Sequence, residues 1–363
     1  METNIHDYCV ILAGGKGRRL WPASTEKCPK QFVDFFGTGR TQLQSTYDRF
    51  SGIVPADNIL VCTGEGYEGM VREQLPGLGE GNLLAEPVQR NTAPSVAWAH
   101  ARIRRRDSQA RVVVTPADQL VLNEAAFAAS IRRGLDFVAT RDVMLAVGVR
   151  PTRPEPGYGY IQQGEPAGAE GVWRVQSFTE KPERDFARMF MESGEFYWNT
   201  GLFLANVGHL NRRLDQMLPE VLRRLERTVP GYSDEDERRF ISDNYPAYPN
   251  LSIDYGVLDH RDDVCMMCCD FGWADLGTWH SVYECGHMEG ADNVVVDSEV
   301  VLERSHGNVV KLPKGKLAVI NGLEGFIVAE KDNVLFICPK EDSSALVRKY
   351  VSELQMRWGE KFV

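Results

Sequence analysis

The residues from Tyr8 to Pro22 read YCVILAGGKGRRLWP, an apolar run followed by a glycine-rich turn and several cations. Tyr8–Ala13 has the composition of a buried β-strand. It leads directly into Gly14–Arg19, where glycines let the backbone wrap closely around an anion. The glycine spacing matches neither a P-loop nor the dinucleotide-binding fingerprint. Taken alone, this segment also fits a tight strand-to-helix turn that binds nothing.

Strand-like and helical runs alternate from this segment to about residue 150. The predicted strands are Tyr8–Ala13, Ile59–Thr63, Asn82–Ala85, Arg111–Thr115 and Met144–Val149, and the predicted helices include Thr92–Arg106 and Glu124–Thr140. This alternation predicts an α/β fold, a doubly wound Rossmann-like domain with a mostly parallel sheet. Ligands in such folds bind outside the carboxyl ends of the strands, where the glycine-rich turn lies.

The rest of the chain shows two different sequence patterns. Strands and helices continue to interleave to about residue 280, including a single helix predicted over Leu210–Arg227. After Asp292 the pattern changes to short valine-rich runs separated by Gly, Asn and Pro, which predicts a small all-β, β-helix-like module closed by a helix over Ser343–Arg357. We therefore predict one large α/β domain over residues 1–285 and a C-terminal β module over 286–363.

Composition excludes several classes of protein. The net charge of -10 argues against a protein that binds DNA or RNA by neutralising many phosphates. The polar start of the chain does not resemble a signal peptide, and no apolar run is long enough to span a membrane. The 8 cysteines are spread thinly, which is typical of reduced thiols in the cytoplasm. The Cys265–Cys269 run reads as a buried strand and not as a zinc site.

Several blocks, in order, resemble one family. Gly14–Pro22 and Glu26–Phe32 look like the signature of nucleotidyltransferases that activate sugar 1-phosphates, in the form found in the mannose-1-phosphate guanylyltransferase branch. The other matching blocks are Glu86–Pro94, Pro116–Asp118, Pro156–Ile161, Phe178–Pro182, Tyr197–Gly201, Ser252–Tyr255 and Trp273–Trp279. The resemblance covers about residues 8 to 280 and departs from the pattern at Cys28 and Gln119.

The resemblance implies that mannose 1-phosphate attacks GTP, with GDP-mannose and pyrophosphate as products. Such a reaction gathers many negative charges in one cleft, so it needs cations and a metal. Arg19 and Lys30 are expected to hold the triphosphate and stabilise the departing pyrophosphate, with Lys16 and Arg18 in auxiliary roles. Backbone contacts to the nucleotide are expected from Leu12, Ala13, Gly14, Gly15 and Gly17.

Two aspartates are the candidate metal ligands. Asp118 follows the strand Arg111–Thr115, and Asp275 follows the strand Val264–Asp270 in a turn rich in Gly and Trp. Hard carboxylate oxygens are suited to Mg²⁺, which takes phosphate oxygens and water as its remaining ligands. A helix cap or turn is the alternative for Asp118.

The remaining candidates are assigned to the nucleotide and the sugar. Asn91 precedes a predicted helix and reads as its N-cap. The resemblance adds nucleotide recognition by Glu86, Arg90, Asn91 and Thr92, and the two roles are compatible. Sugar-phosphate contacts are expected from Tyr158, Gly159, Glu180, Lys181 and Asn199, with a surface ion pair as the alternative for Glu180 and Lys181.

The sequence thus predicts a Mg²⁺-dependent guanylyltransferase, which we expect to form a homodimer. No general base is required, because a phosphate monoester is already ionised at neutral pH. One alternative is a pyrophosphorylase that prefers another nucleotide or sugar. A second alternative is a non-catalytic subunit that senses sugar nucleotides, against which the presence of Arg19, Lys30, Asp118 and Asp275 argues.

Overall fold

The computed structural model describes residues 3–226, 233–258, 263–288, 292–341 and 343–363. The chain folds into two compact units, each made of several chain segments. The first unit comprises Met1–Gly14, Tyr47–Pro116 and Val121–Trp273, and the second comprises Gly15–Thr46, Ala117–Leu120 and Ala274–Val363. A compact unit is not necessarily a functional domain, so the division at residue 285 stays a prediction.

Strands and helices alternate along the first part of the chain, and short strands predominate after residue 292. The strands are β1 (Asp7–Leu12), β2 (Ile59–Gly64), β3 (Leu83–Glu86), β4 (Arg111–Pro116), β5 (Gln119–Val121), β6 (Met144–Val149), β7 (Gly159–Pro166), β8 (Val172–Glu180), β9 (Phe196–Asn206), β10 (Val264–Cys269), β11 (Trp273–Asp275), β12 (Val294–Val296), β13 (Glu299–Glu303), β14 (Val309–Lys311), β15 (Leu317–Asn321), β16 (Phe326–Lys331) and β17 (Val334–Pro339). The α-helices are α1 (Gln42–Ser51), α2 (Glu68–Gln74), α3 (Thr92–Arg106), α4 (Glu124–Ala139), α5 (Arg184–Ser193), α6 (Val207–Met217), α7 (Pro219–Glu226), α8 (Asp234–Asn244), α9 (Ile253–Leu258), α10 (Trp279–Met288) and α11 (Ser343–Trp358).

The first unit is built on a mixed sheet of 9 strands in the order β3-β2-β1-β4-β9-β6-β10-β8-β7. The neighbours β1, β2, β3 and β4 are parallel, and so are β6 and β10. Strands β8 and β9 run antiparallel to their neighbours. The α/β sheet is therefore mixed: β8 and β9 are reversed, and the other seven strands point in one direction, as the prediction of a mostly parallel sheet requires.

The reversal of direction comes from the hairpin between β7 and β8. Gly168 and Gly171 adopt positive φ values of 77° and 69° there. The Ala167 N–H donates to the Val172 carbonyl at 2.9 Å, which closes the turn. Helix α5 then carries the chain back to the start of β9, so β9 keeps the reversed direction of β8. Strand β9 enters the sheet between β4 and β6, where it is antiparallel to both.

The structure corrects the helix predicted over Leu210–Arg227. The structure has two helices here, α6 and α7, with Leu218 between them. Pro219 is the first residue of α7, and a proline ring can begin a helix but cannot continue one, because it lacks an N–H and clashes with the preceding turn. Arg227 lies outside the described residues.

The second unit contains two small sheets of short strands with parallel pairings. Strands β12, β14 and β16 are parallel neighbours, with β17 antiparallel at the edge of the same sheet, and β13 pairs in parallel with β15. Strands β5 and β11 form a separate two-stranded ladder. The sequence does not indicate β5, β11 or β13 as strands, because β5 and β11 are too short to show periodicity and β13 begins and ends with a glutamate.

The apolar core of the second unit is formed mainly by residues of its first and last chain segments. Leu20 and Phe35, from the long loop between β1 and α1, pack in one cluster with Trp279 of α10 and Ile327 of β16. Helix α11 contributes Val347, which is also fully buried. Along the described part of the chain, no helix is both long and apolar enough to cross a membrane.

Gly148 offers a test of the packing around β6. A Cβ atom at this position would lie 2.5 Å from Met266 Sδ and 3.1 Å from Tyr197 Cβ. Gly148→Ala is expected to lower the free energy of unfolding by about 1–3 kcal/mol through overpacking, as measured by urea denaturation. Gly77→Ala is the control, since nothing lies within 4 Å of its Cβ position. Equal destabilisation of the two variants would contradict the close packing at β6.

Candidate functional site

A cluster of charged side chains in the second unit contains the four predicted catalytic residues. Lys30 begins a short 3₁₀ helix, Lys30–Phe32. Its ammonium contacts the Asp118 carboxylate and lies 4.0 Å from Asp275 Oδ1. Asp118 lies in the bend between β4 and β5, and Asp275 ends β11. The ladder of β5 and β11 therefore brings both carboxylates to one cation.

Arg19 joins this cluster beside Gly277. A Cβ atom at Gly277 would lie 2.8 Å from Asp275 Oδ2 and 3.2 Å from Arg19 Nη2. Only glycine leaves room for the carboxylate and the guanidinium at this point. Arg19 itself lies in a second 3₁₀ helix, Arg18–Leu20. The structure thus brings together Arg19, Lys30, Asp118 and Asp275, whose catalytic roles stay predictions.

The charge state of Lys30 follows from its surroundings. Burial alone lowers the pKa of this amine, but the attraction of Asp118 and Asp275 and the hydrogen bond to Asp118 outweigh burial and raise the pKa above its ordinary value. The positive charge of Arg19 acts in the opposite sense. Lys30 is therefore held as an ammonium ion, which can neutralise an anionic ligand.

Gly17 determines how the glycine-rich loop passes Lys30. This residue has a φ of 61°, and a Cβ atom here would lie 2.6 Å from Ser24 Oγ and 2.8 Å from Lys30 Cβ. Any other residue would push Lys30 away. Lys16 and Arg18 make ion pairs with Glu26 on the surface, and their auxiliary roles stay predictions. Gly15 precedes them with open space at its Cβ position.

In the first unit, the predicted nucleotide contacts meet at the carboxyl ends of β1 and β3. Leu12 ends β1, and the Ala13 N–H donates to the Cys62 carbonyl at 2.8 Å. A Cβ atom at Gly14 would lie 3.9 Å from Glu86 Oε2. Gln89 donates to the Gly14 carbonyl, a contact that the sequence did not predict.

Glu86 is an unusual member of this group. Its side chain is 5% exposed, and Oε1 has no hydrogen-bond partner among the described residues. Burial raises the pKa of Glu86 to about 7, although hydrogen bonds with Ser95 and Tyr245 act to lower it. A buried carboxyl with a spare oxygen can accept or donate a hydrogen bond according to its protonation state.

Arg90, Asn91 and Thr92 form the start of α3. Asn91 has a φ of 64° and its Oδ1 accepts from the Thr92 N–H at 3.0 Å, so it is the N-cap that the sequence suggests. Thr92 Oγ1 accepts from the Ile253 N–H at 2.9 Å. Arg90 donates to the Pro246 carbonyl. Arg90 and Thr92 are thus anchored to the segment that leads into α9.

The predicted sugar contacts lie where β7, β8 and β9 pair. Gly159 is opposite Glu180, and a Cβ atom at Gly159 would lie 2.7 Å from Glu180 Oε2. Lys181 has a φ of 47°, and its N–H donates to the Tyr158 carbonyl at 3.2 Å. Lys181 also pairs with Glu180, so the predicted surface ion pair is present. Asn199 completes the predicted set.

Asp254 is an additional candidate that received no role from the sequence. Its Oδ1 accepts from Asn199 Nδ2 at 3.3 Å and its Oδ2 accepts from Ser252 Oγ at 3.0 Å. Burial, and the nearby charge of Glu180, raise the pKa of this carboxyl above its usual range. The block Ser252–Tyr255 was a signal, but only the fold shows that Asp254 holds the amide of Asn199.

A metal at the charged cluster would have two protein carboxylates, Asp118 and Asp275. Among the described residues, no group of three or more His, Cys, Asp and Glu side chains is arranged to hold a metal ion. Strand β10 contains the cysteine-rich run, with Cys265 and Cys269 buried. Any metal at Asp118 and Asp275 would therefore need further ligands from substrate and water.

Comparison with known proteins identifies the relatives of this chain. Residues 8–289 match the nucleotidyl transferase family. The mannose-1-phosphate guanylyltransferase of Escherichia coli K12 is 32% identical over 363 residues, which cover 96% of this chain and 73% of that protein. The xanthan biosynthesis protein XanB of Xanthomonas campestris is 33% identical, covering 95% and 73%. A crystal structure described as mannose-1-phosphate geranyltransferase from Thermus thermophilus is 30% identical, with a TM-score of 0.86, covering 96% of this chain and 99% of that chain.

The raised pKa of Glu86 has a measurable consequence for stability. Unfolded Glu86 loses its proton near 4.5 but folded Glu86 only near 7, so its contribution to stability is present at low pH and is lost as pH rises through this window. Relative to Glu86→Gln, the wild type should lose on the order of 3 kcal/mol of unfolding free energy over this range.

Denaturant unfolding at several pH values between 4.5 and 7.5 measures the effect. Glu80→Gln, at an exposed glutamate, is the control and should follow the wild type at every pH. Parallel stability curves for the wild type and Glu86→Gln would show that Glu86 ionises as it does in water.

Proposed function

Since the chain belongs to the nucleotidyl transferase family, and within it to the group that includes the mannose-1-phosphate guanylyltransferases, we propose that it transfers GMP from GTP to mannose 1-phosphate. The products are GDP-mannose and pyrophosphate. One observation carries the proposal, the placement of Lys30 against Asp118 and Asp275 with Arg19 beside them. The choice of GTP and mannose follows from the names of the relatives.

The charged cluster fits Mg²⁺ as a cofactor. Its oxygen donors are hard carboxylates, and an ammonium ion already lies against them, so positive charge is stabilised at this point. Asp118 and Asp275 would hold the metal, with phosphate oxygens and water as further ligands. The ion would neutralise charge that develops on the phosphates.

The phosphate groups are bound by two cations and by the glycine-rich backbone in this proposal. Lys30 and Arg19 bind the triphosphate and stabilise the negative charge of the departing pyrophosphate. The backbone of Gly14, Gly15 and Gly17 leaves room for phosphate oxygens. No residue needs to remove a proton, because the phosphate of the sugar is ionised at neutral pH.

The residues of the first unit select and orient the substrates. In this proposal the nucleotide is contacted by Leu12, Ala13, Glu86, Arg90, Asn91 and Thr92, and Glu86 Oε1 is a polar atom without a partner among the described residues. Lys181 neutralises the sugar phosphate. Tyr158, Gly159, Glu180 and Asn199 bind the sugar, where Gly159 lets the ring approach the backbone.

The substrate assignment is tested with purified protein and Mg²⁺. GTP, ATP, UTP and dTTP are each paired with mannose 1-phosphate and glucose 1-phosphate, and pyrophosphate release is measured. GTP with mannose 1-phosphate is expected to react fastest. A faster reaction of UTP with glucose 1-phosphate would move the protein to another branch of the family, and no reaction with any pair would favour a non-catalytic sensor.

The metal assignment is tested with Asp118→Asn and Asp275→Asn. Each variant should lose about 100-fold or more in kcat, because the bound metal contributes several kcal/mol of charge stabilisation. Circular dichroism and thermal unfolding establish that each variant is folded. Asp270→Asn, an exposed aspartate on the same stretch of chain, is the control and should keep full activity. Activity near that of the wild type in either site variant would remove the metal role.

Domain organisation and assembly complete the proposal. Residues 1–285 act as the catalytic domain, and residues 286–363 form a β-helix-like module, as the parallel stacking of β12, β14 and β16 and of β13 with β15 suggests. The 8 free cysteines fit a protein of the cytoplasm.

The paired strands β13 and β15 expose Val301, Leu317 and Val319 on one face. A second copy of the chain could cover this apolar patch to form a homodimer.

Light scattering after size-exclusion chromatography tests the dimer. Val319→Lys places a charge at a side chain that is 72% exposed in this unit, and it should convert a dimeric wild type into a monomer. Met356→Lys, at an exposed residue of α11, should leave the mass unchanged. A monomeric wild type, or a dimeric Val319→Lys protein, would exclude this interface.

A further inference from the structure

Two lysines of the C-terminal module reach the backbone of the loop that carries Arg19 and Lys30. Lys331, at the end of β16, donates from Nζ to the Ala23 carbonyl at 3.0 Å. Lys311, at the end of β14, donates from Nζ to the Asp34 carbonyl at 2.9 Å. Ala23 lies four residues after Arg19, and Asp34 lies four residues after Lys30. Each predicted catalytic cation is thus followed, four residues later, by a backbone carbonyl that accepts a hydrogen bond from a lysine of the module.

Trp21 supplies a third attachment between these two points. Its Nε1 donates to the Phe362 carbonyl at 2.8 Å, near the end of the chain. Its ring meets the ring of Phe336 edge-on, with centroids 5.3 Å apart. Its carbonyl accepts from Trp279 Nε1 at 3.0 Å. One residue close to Arg19 is therefore held through its side chain and its backbone.

The loop needs such partners because it has little regular structure of its own. Between β1 and α1 it contains only two short 3₁₀ helices, so most of its backbone groups cannot bond within a helix or a sheet. Charged donors make stronger hydrogen bonds to carbonyls than neutral donors do. A lysine that reaches the loop from a rigid strand therefore fixes a backbone position that the loop cannot fix itself.

Lys311 is specialised for this contact. It is 8% exposed, and burial of an ammonium is costly unless the charge is paired. Asp297 of the same module accepts from Lys311 Nζ at 2.7 Å, and the ring of Phe35 lies 5.9 Å from the ammonium. The charge is satisfied by the module and by the loop together.

We propose that the C-terminal module acts as a clamp on the loop, and that Lys311 and Lys331 are positioning residues for Lys30 and Arg19. The clamp is a property of the fold, while its effect on catalysis rests on the proposed function. Because Arg19 and Lys30 are assigned to the departing pyrophosphate, a loosened loop should lower kcat and leave KM for mannose 1-phosphate nearly unchanged.

Amide hydrogen exchange tests the clamp without any assumption about activity. The N–H groups of Leu20, Ser24 and Val33 donate within the loop, and their exchange reports how often the loop opens. Lys331→Met and Lys311→Met in the full chain should each raise exchange at these amides by about ten-fold or more, the value of one charge-assisted hydrogen bond. Trp21→Phe keeps an aromatic ring but removes the donor to Phe362, and should act in the same direction.

Matched variants separate positioning from general destabilisation. Lys316 of the module pairs with Glu330, also of the module, and Lys316→Met should leave loop exchange unchanged. Lys331→Arg should restore part of the protection, since it keeps a charged donor. Loop exchange that stays at the wild-type rate in Lys331→Met, Lys311→Met and Trp21→Phe would overturn the proposal, and so would an equal rise in Lys316→Met.

Kinetics with GTP and mannose 1-phosphate add the second readout. About a ten-fold fall in kcat with an unchanged KM for the sugar phosphate is expected in the two lysine variants. If loop exchange rises but kcat does not fall, the clamp does not position the catalytic cations and that part of the proposal is wrong. If the wild type itself is inactive while exchange rises as expected, the proposed function fails and the clamp stands.

Discussion

The pairing of Lys30 with Asp118 and Asp275 is the interaction on which the second unit depends. A buried ammonium is costly without its carboxylates, and the carboxylates would be costly without a cation. The three residues come from three separate parts of the chain, and those parts are the three segments that make up the unit. The charges therefore help to determine which segments must fold together, in addition to the apolar core.

The apolar core holds Arg19 and Lys30 in position because residues adjacent to them in sequence are buried in it. Leu20 and Trp21 are buried directly after Arg19, and Phe32 is buried two residues after Lys30. A loop without strands can hold a cation in place only if the adjacent side chains are fixed, because rotation of the backbone would move both together. The buried residues beside the charged ones thus help to hold this irregular segment in place, together with the contacts from Lys311 and Lys331.

The sequence predicts single helices and strands better than it predicts strand directions and contacts between distant residues. Helix α3 was predicted with its observed bounds, since Asn91 caps its start and its face is rich in alanine. The direction of β9 could not be read, because it depends on a hairpin turn upstream and not on its own residues. The four catalytic candidates were found as motifs, but the contact of Asp254 with Asn199 joins residues far apart in the chain, and only the fold reveals it.

The carboxyl groups among the candidate residues of the two units fall into two electrostatic classes. Asp118 and Asp275 face the ammonium of Lys30, as groups that hold cations must. Glu86 and Asp254 are surrounded mainly by neutral hydroxyl and amide partners, and burial raises the pKa of both. Neutral partners of this kind suit the hydrogen bonds made by a base or a sugar. One chain can therefore place identical functional groups in charged and in mainly neutral surroundings, because the neighbouring residues, and not the carboxyl itself, set the environment.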